Sequence, residues 1–316
     1  MAFPASHGIG RRALLAALIV STAGFGARAQ PSAPMPVAFK VSGPAPKRPR
    51  IAVPSYGVSY VIAGRARSSA TGGRTYTAVD LTLSLEGPTE QDMQLLADEA
   101  HADLLAQLEA AGFETVDPQT TFADPALAAV PRAPGGRGEN KGKLDGRADK
   151  VWLTFSPAAA PLFQAQNFWP SGDLGLMGKL GKPSKALDAT LVTPRLILDF
   201  TSLNASKNST WTGKASAGGA LEFSIDGMSQ VTLTSADAKG LGVFTRLTLG
   251  KEIVSETPLA GDLAKGVGRP AVNIASLFGR ASVDAFRADP AAWREQVRAA
   301  YRGYNAGIVS ALASRR

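Results

Sequence analysis

The chain has no cysteine among its 316 residues. This absence excludes structural disulfides, thiolate metal sites, a cysteine nucleophile and a lipid-modified cysteine behind an export signal. The fold must therefore depend on an apolar core, and the chain is long enough to build one.

Histidine is nearly absent, with His7 near the N-terminus and His101 as the second of two. Histidine-rich metal sites are excluded, and we predict no metal. No Gly-x-Ser-x-Gly motif is present and no nucleotide-binding glycine motif follows a strand, so we predict no cofactor. His101 lies on or beside the apolar face of a predicted helix. A packed histidine is favoured there over the base of a catalytic triad.

The first residues have the composition of an export signal. Arg11 and Arg12 precede the apolar run ALLAALIVSTAGFG, and the small residues ARA precede Gln30. We predict a signal peptide at residues 1–29 and a periplasmic or secreted protein, with the export route left open. An uncleaved anchor is the alternative, but the run is shorter than the roughly twenty residues of a spanning helix. No later segment is apolar enough, so we expect no transmembrane span in the mature chain.

The formal net charge is +8. The predicted signal holds three arginines and no acidic residue, which leaves the mature chain near +5. Such basicity suits anionic partners of the cell envelope, whether protein, lipid or glycan. Basic residues do not alternate with aromatic ones in a stripe, so nucleic acid is not expected as a partner.

Residues 30–50, QPSAPMPVAFKVSGPAPKRPR, are rich in proline and end in a basic cluster. This composition predicts an extended tether that does not pack. A docking role for the sequence KRPR is the alternative interpretation.

Period-two alternation begins at Ile51 and resumes from Val79 to Leu85, on both sides of a Gly-Gly turn. This pattern predicts a long antiparallel hairpin. Thr89 and Asp92 then form a variant of the capping box, which predicts a helix that ends at Gly112. Residues 118–149 are polar and glycine-rich, so we expect a surface loop and a possible subdivision there.

Further alternating runs predict a meander of antiparallel strands, and Asp289-Pro290 opens a C-terminal amphipathic helix. The predicted class is α+β, with an antiparallel strand-rich sheet, a capped helix after an N-terminal hairpin, and a C-terminal amphipathic helix. This domain spans residues 51–316.

The run LADEAHADLLAQLEAAGFETVD, followed by ADKVWLTFS, places a capped helix before Gly-Phe and two strands. This order resembles periplasmic accessory domains such as the amino-terminal domain of the Tol β-propeller protein, the curli-secretion lipoprotein and lipoprotein activators of cell-wall synthases. The resemblance covers about residues 51–256 and implies a periplasmic scaffold of similar fold. It transfers no functional residue, and the chain lacks the acylated cysteine of those lipoproteins.

Residues 172–182, GDLGLMGKLGK, place a glycine at every third position. A phosphate cradle would lead into a helix N-terminus, whereas this segment leads to a proline and a strand. We predict a flexible loop, either folded over the protein's own core or in contact with a partner or membrane. The candidate contact residues are Phe168, Trp169, Leu174, Leu176, Met177, Lys179, Leu180 and Lys182.

The leading functional hypothesis is an exported binding or scaffold protein without catalytic residues. One alternative is a carrier whose strands enclose an apolar ligand. The other is a hydrolase that uses a pair of carboxylates at glycosidase spacing. The carboxylates in or beside predicted strands are Asp188, Asp199, Glu222 and Asp226.

Overall fold

A computed structural model describes residues 32–72, 75–132, 137–144, 148–163, 173–208, 214–237, 239–264 and 283–315. The predicted signal peptide, residues 1–29, lies outside this part. The helices are α1 (Glu90–Ala110), α2 (Pro118–Ala123), α3 (Pro125–Ala128), α4 (Asp173–Ala186) and α5 (Pro290–Ala313). No helix in the described ranges combines the length and apolar composition that crossing a bilayer requires.

Thirteen strands of the described residues form one mixed sheet. They are β1 (Lys40–Ser42), β2 (Arg50–Ala52), β3 (Gly57–Gly72), β4 (Thr75–Glu86), β5 (Arg137–Leu144), β6 (Ala148–Phe155), β7 (Ala189–Asn208), β8 (Lys214–Ile225), β9 (Gln230–Ala236), β10 (Gly242–Thr248), β11 (Ile253–Val254), β12 (Gly261–Ala264) and β13 (Val283–Ala288). The longest path through the sheet has the order β1-β10-β9-β7-β3-β4-β13-β12. Of the remaining strands, β2 and β8 pair with β7, β11 pairs with β8, β6 pairs with β3, and β5 pairs with β6.

The α+β class is confirmed, but the sheet is not purely antiparallel. Strand β7 runs parallel to both β2 and β3, and β13 runs parallel to β4. Parallel neighbours need a long crossover. Helices α1 to α4 lie within the chain that leads from β3 to β7, which supplies such a crossover. The predicted meander is present as the antiparallel pairs β7-β8, β7-β9 and β9-β10.

The predicted hairpin is formed by β3 and β4, in a register that runs from Ala63 opposite Ser84 to Gly72 opposite Thr75. Ile51 is not part of it. Strand β2 instead pairs with β7, and Ile51 also bridges Thr115. A short strand between β7 and the segment that follows α1 therefore stands where the sequence suggested the start of one long strand.

Helix α1 begins with the capping box, because the Thr89 side chain accepts from the Asp92 N–H and the Asp92 carboxylate accepts from the Thr89 N–H. Its apolar face packs against the sheet and against α5. Arg298 donates to both carboxylate oxygens of Glu99 at 2.9 and 2.8 Å. These hydrogen bonds hold the pKa of Glu99 below its usual range.

The predicted loop at residues 118–149 is wrong. Helices α2 and α3 occupy its first part, each opened by an aspartate cap and a proline. Strand β5 occupies its last part and pairs with β6 in full register. Gly138, Gly142 and the charged residues of β5 lie on a strand that pairs with β6 alone among the described strands, and lysines on such an edge discourage pairing with other chains. The stretch does not divide the domain, since residues Pro31–Arg316 form one compact unit.

The predicted tether is also wrong for its described residues, 32–50, which we call the N-terminal strap. The Met35 N–H donates to the Ala299 carbonyl at 3.0 Å, and the Met35 side chain is only 6% exposed. Strand β1 of the strap pairs with β10. Phe39 meets Tyr304 edge to face, with ring centroids 5.2 Å apart. The prolines keep the strap extended, and apolar side chains between them pack it onto α5 and the sheet.

A buried ion pair joins β6 to β7. Lys150 of β6 lies opposite Gly64 of β3, and its ammonium reaches Asp199 of β7 at 3.0 Å and the Thr201 carbonyl at 2.9 Å. A side chain at position 64 would meet Leu203 at 2.6 Å and Lys150 at 3.2 Å. Because Gly64 has no side chain, the Lys150 side chain can pass over β3 to reach Asp199.

Candidate functional site

The glycine-rich segment folds as helix α4 rather than as a loop, which corrects the predicted conformation. Phe168 and Trp169 lie outside the described residues, and so do the side chains of Leu174, Leu176 and Met177. Lys179 and Lys182 are exposed. Leu180 is fully buried in a small cluster with Leu127 and Leu191, so its side chain is not available to a partner.

Gly181 has a packing role that its spacing alone does not reveal. A side chain at Gly181 would lie 2.6 Å from the Gly242 nitrogen and 2.7 Å from the Gly240 carbonyl. Glycine at this position lets α4 approach the turn between β9 and β10. Residues three apart are neighbours on the surface of a helix. The spacing of the glycines is therefore a signal from which helix α4 could have been predicted.

Three of the four candidate carboxylates are held by separate structural partners. Asp188 pairs with Arg48 at an exposed site, and Asp199 pairs with Lys150 in the core. Asp226 accepts from the Met228 N–H at 2.7 Å and holds the turn before β9. Glu222 lies half-buried on β8. Each of the first three has its own structural partner, and this does not support the hydrolase hypothesis.

His101 is 7% exposed on α1, with its ring 6.1 Å from that of Phe122. Burial lowers its pKa, against an opposing hydrogen bond with the Val53 backbone. Its Nε2 atom has no hydrogen-bond partner within the described part of the chain. These contacts are those of a packed histidine, as the sequence analysis favoured.

The interior between α5 and the sheet is filled by large side chains. Tyr60, Phe223 and Trp293 meet there, and the gap that they leave is about 10 Å³. Such a gap holds one water molecule at most. This layer gives no support to the carrier hypothesis.

A cleft of about 540 Å³ opens on the surface instead. Its lining consists of Pro46, Lys47, Arg48, Pro49, Ile51, Gly112, Phe113, Glu114, Leu312 and Arg315. The N-terminal strap forms one wall, and the ends of α1 and α5 form the other. Ile51, Phe113 and Leu312 are buried and make an apolar floor, while the charged residues stand at the rim.

Helices α1 and α5 run parallel to each other, so their C-terminal ends both lie at this cleft. Near their starts Asp92 contacts Arg294, and further along Asp103 contacts Asn305. The C-terminal end of a helix carries a partial negative charge, which favours cations nearby. Arg315 lies there and donates to the Gly43 carbonyl at 2.9 Å, which fastens the strap to the end of α5.

The cleft belongs to a larger cationic surface that we call the basic corner. Its members are Lys47, Arg48, Arg50, Lys182, Lys185, Lys239 and Arg315. Hydrogen bonds bring the strap, α4 and the end of β9 together at this point. The Lys47 N–H donates to Ser235 at 3.3 Å, and the Ala236 N–H donates to Ser184 at 2.9 Å. The sequence KRPR thus lies on this surface, and its docking role stays a prediction.

Some of this charge is balanced within the protein. Arg48 pairs with Asp188, and Arg50 pairs with Glu114 at 2.8 Å. Lys47 and Arg315 have no carboxylate partner within 4 Å in the part of the chain that the structure describes. The cleft therefore combines an apolar floor with two cations that have no carboxylate partner among the described residues.

No family model, curated protein or solved structure matches this chain. The functional interpretation therefore rests on the geometry of the cleft and the basic corner.

Proposed function

We propose that the chain is an exported binding or scaffold protein that contacts a cell-envelope partner through the cleft. The observation that carries this proposal is the open cleft of about 540 Å³, whose rim carries Lys47 and Arg315, two cations for which the described residues supply no carboxylate partner. Its volume is in the range of pockets that bind ligands. The export and envelope parts of the proposal are supported by the signal-like composition of residues 1–29.

The geometry favours this function over the two alternatives. A hydrolase would need carboxylates that converge, whereas Asp199 and Asp226 each hold a separate structural contact. A carrier would need an enclosed apolar space, whereas the layer around Trp293 is packed. The cleft, in contrast, is open to a macromolecular partner.

The absence of cysteine permits a direct test. A single cysteine in place of Lys47, Lys47→Cys, accepts a maleimide photocrosslinker at the rim of the cleft. We expect illumination with an envelope extract to give discrete adducts. Unlabelled wild-type protein should compete for them, and the Arg315→Glu protein should compete poorly.

Lys251→Cys is the matched control, because Lys251 is exposed and does not line the cleft. The proposal is contradicted if both positions give the same adducts, or if unlabelled wild-type protein does not compete. Absence of adducts from position 47 under conditions where the labelled protein is folded also contradicts it.

A further inference from the structure

We infer that the partner presents an extended acidic peptide segment to the cleft, with its carboxylates on Lys47 and Arg315. This inference rests on the proposed function and names the chemistry of the partner. It follows from the charge of the basic corner and from the concave shape of the cleft.

The charge of the corner is strongly one-sided. Within the described residues, the carboxylates at or beside its seven cations include Glu114, Asp188, Asp237 and Glu109, which accepts from the Thr115 hydroxyl. The first two are committed to Arg50 and Arg48. Asp237 accepts from the Lys239 and Leu241 N–H groups and holds the turn between β9 and β10. The remaining positive charge attracts an acidic partner and speeds its approach.

Three sources of negative charge also lie at the cleft and oppose the binding of a carboxylate. Glu114 lines the cleft, and the ends of α1 and α5 each contribute about half a negative charge. Arg50 neutralises Glu114, so the helix ends oppose Lys47 and Arg315. Two full charges exceed two half charges. A ligand carboxylate is therefore attracted to the rim, at the side of the cations.

The shape of the cleft favours a peptide over a bilayer. The apolar floor at Ile51, Phe113 and Leu312 is recessed, with exposures of 3, 7 and 3%. A flat lipid surface touches groups that protrude, whereas a narrow chain enters a cleft and places side chains on its floor. Strap residues 46–49 contain two prolines, whose rings fix φ, so the wall beside the ligand is stiff.

The probe is a short fluorescein-labelled peptide of alternating Glu and Ser, titrated with the full-length mature protein and followed by anisotropy. We expect binding that weakens as salt rises above about 0.1 M, where the screening length is about 10 Å. Lys47→Gln/Arg315→Gln should bind about fivefold more weakly, as the loss of two exposed ion pairs predicts. The same peptide with Gln in place of Glu should not bind.

Lys251→Gln is the matched control and should bind like the wild type. Equal loss in that variant, or equal binding of the Gln peptide, overturns the inference. Leu241 is 65% exposed beside Lys239, so vesicles of phosphatidylglycerol form a separate arm. Binding to vesicles without binding to the Glu peptide overturns the inference in favour of a membrane. If the peptide fails while Lys47→Cys still gives specific adducts, the inference fails and the proposed function stands.

Discussion

Replacement of Gly303 by alanine tests how the N-terminal strap is held on α5. Position 303 lies inside the helix, where alanine is favoured over glycine by about 1 kcal/mol. A side chain there would lie 1.8 Å from the Met35 carbonyl oxygen and 2.9 Å from the Met35 nitrogen. Ordinary contacts begin near 3.4 Å, so the strap must move away from the helix.

The magnitude follows from what the strap loses. The hydrogen bond from Met35 to Ala299 contributes about 0.5–1.5 kcal/mol, and burial of a methionine side chain contributes about 1.5–3 kcal/mol. After the gain in helix propensity is subtracted, we expect Gly303→Ala to destabilise the protein by about 1–3 kcal/mol. Gly178→Ala is the matched control, because a side chain there meets nothing within 4 Å. It should stabilise the protein by up to about 1 kcal/mol.

Urea unfolding followed by tryptophan fluorescence measures the global effect. Hydrogen exchange by mass spectrometry measures the local one, because the Met35 N–H is protected by its bond to Ala299. We expect the peptide around Met35 to exchange faster than in the wild type in Gly303→Ala, and at the wild-type rate in Gly178→Ala. Wild-type protection together with wild-type stability in Gly303→Ala would refute the close approach of strap and helix.

Three further predictions concern the core and a helix end. Lys150→Met leaves the Asp199 charge buried without its ammonium partner, so urea unfolding should show that the free energy of unfolding falls by about 3–5 kcal/mol. Adding Asp199→Leu should restore most of this stability. A loss below about 1 kcal/mol in Lys150→Met would contradict the prediction. Burial lowers the pKa of His101, so the unfolded state binds the proton first and stability should fall as the pH drops through about 6.5. In His101→Gln the slope of the unfolding free energy against pH should be smaller. An equal slope would exclude this histidine as the cause. Thr89→Ala removes the cap of α1 and should cost about 1 kcal/mol by thermal unfolding, whereas an unchanged midpoint would show that Asp92 alone suffices.

Elements with local signals were predicted well from the sequence. Thr89 with Asp92 marks the start of α1, and Asp289 before a proline marks the start of α5. These signals work because a cap and a periodic apolar face involve residues within a few positions of one another. The β3-β4 hairpin was predicted for the same reason, since its strands follow each other in the chain.

The candidate site was predicted only in fragments. The sequence KRPR and Lys182 indicate positive charge, but composition alone places these residues in a tether and a loop. The sequence does not predict helix α4, because glycine has low helix propensity. Tertiary contact overrides that propensity where Gly181 meets the β9-β10 turn.

By itself, the sequence determined the α+β class, the absence of thiol chemistry, the net positive charge and the caps of the two long helices. Only the tertiary structure decided that the proline-rich segment packs, that Lys150 pairs with Asp199, and that two helix ends meet the strap at one cleft. These features join residues as far apart as Gly43 and Arg315. Composition and periodicity describe neighbours along the chain, and contacts over such separations are fixed only when the sheet and helices pack.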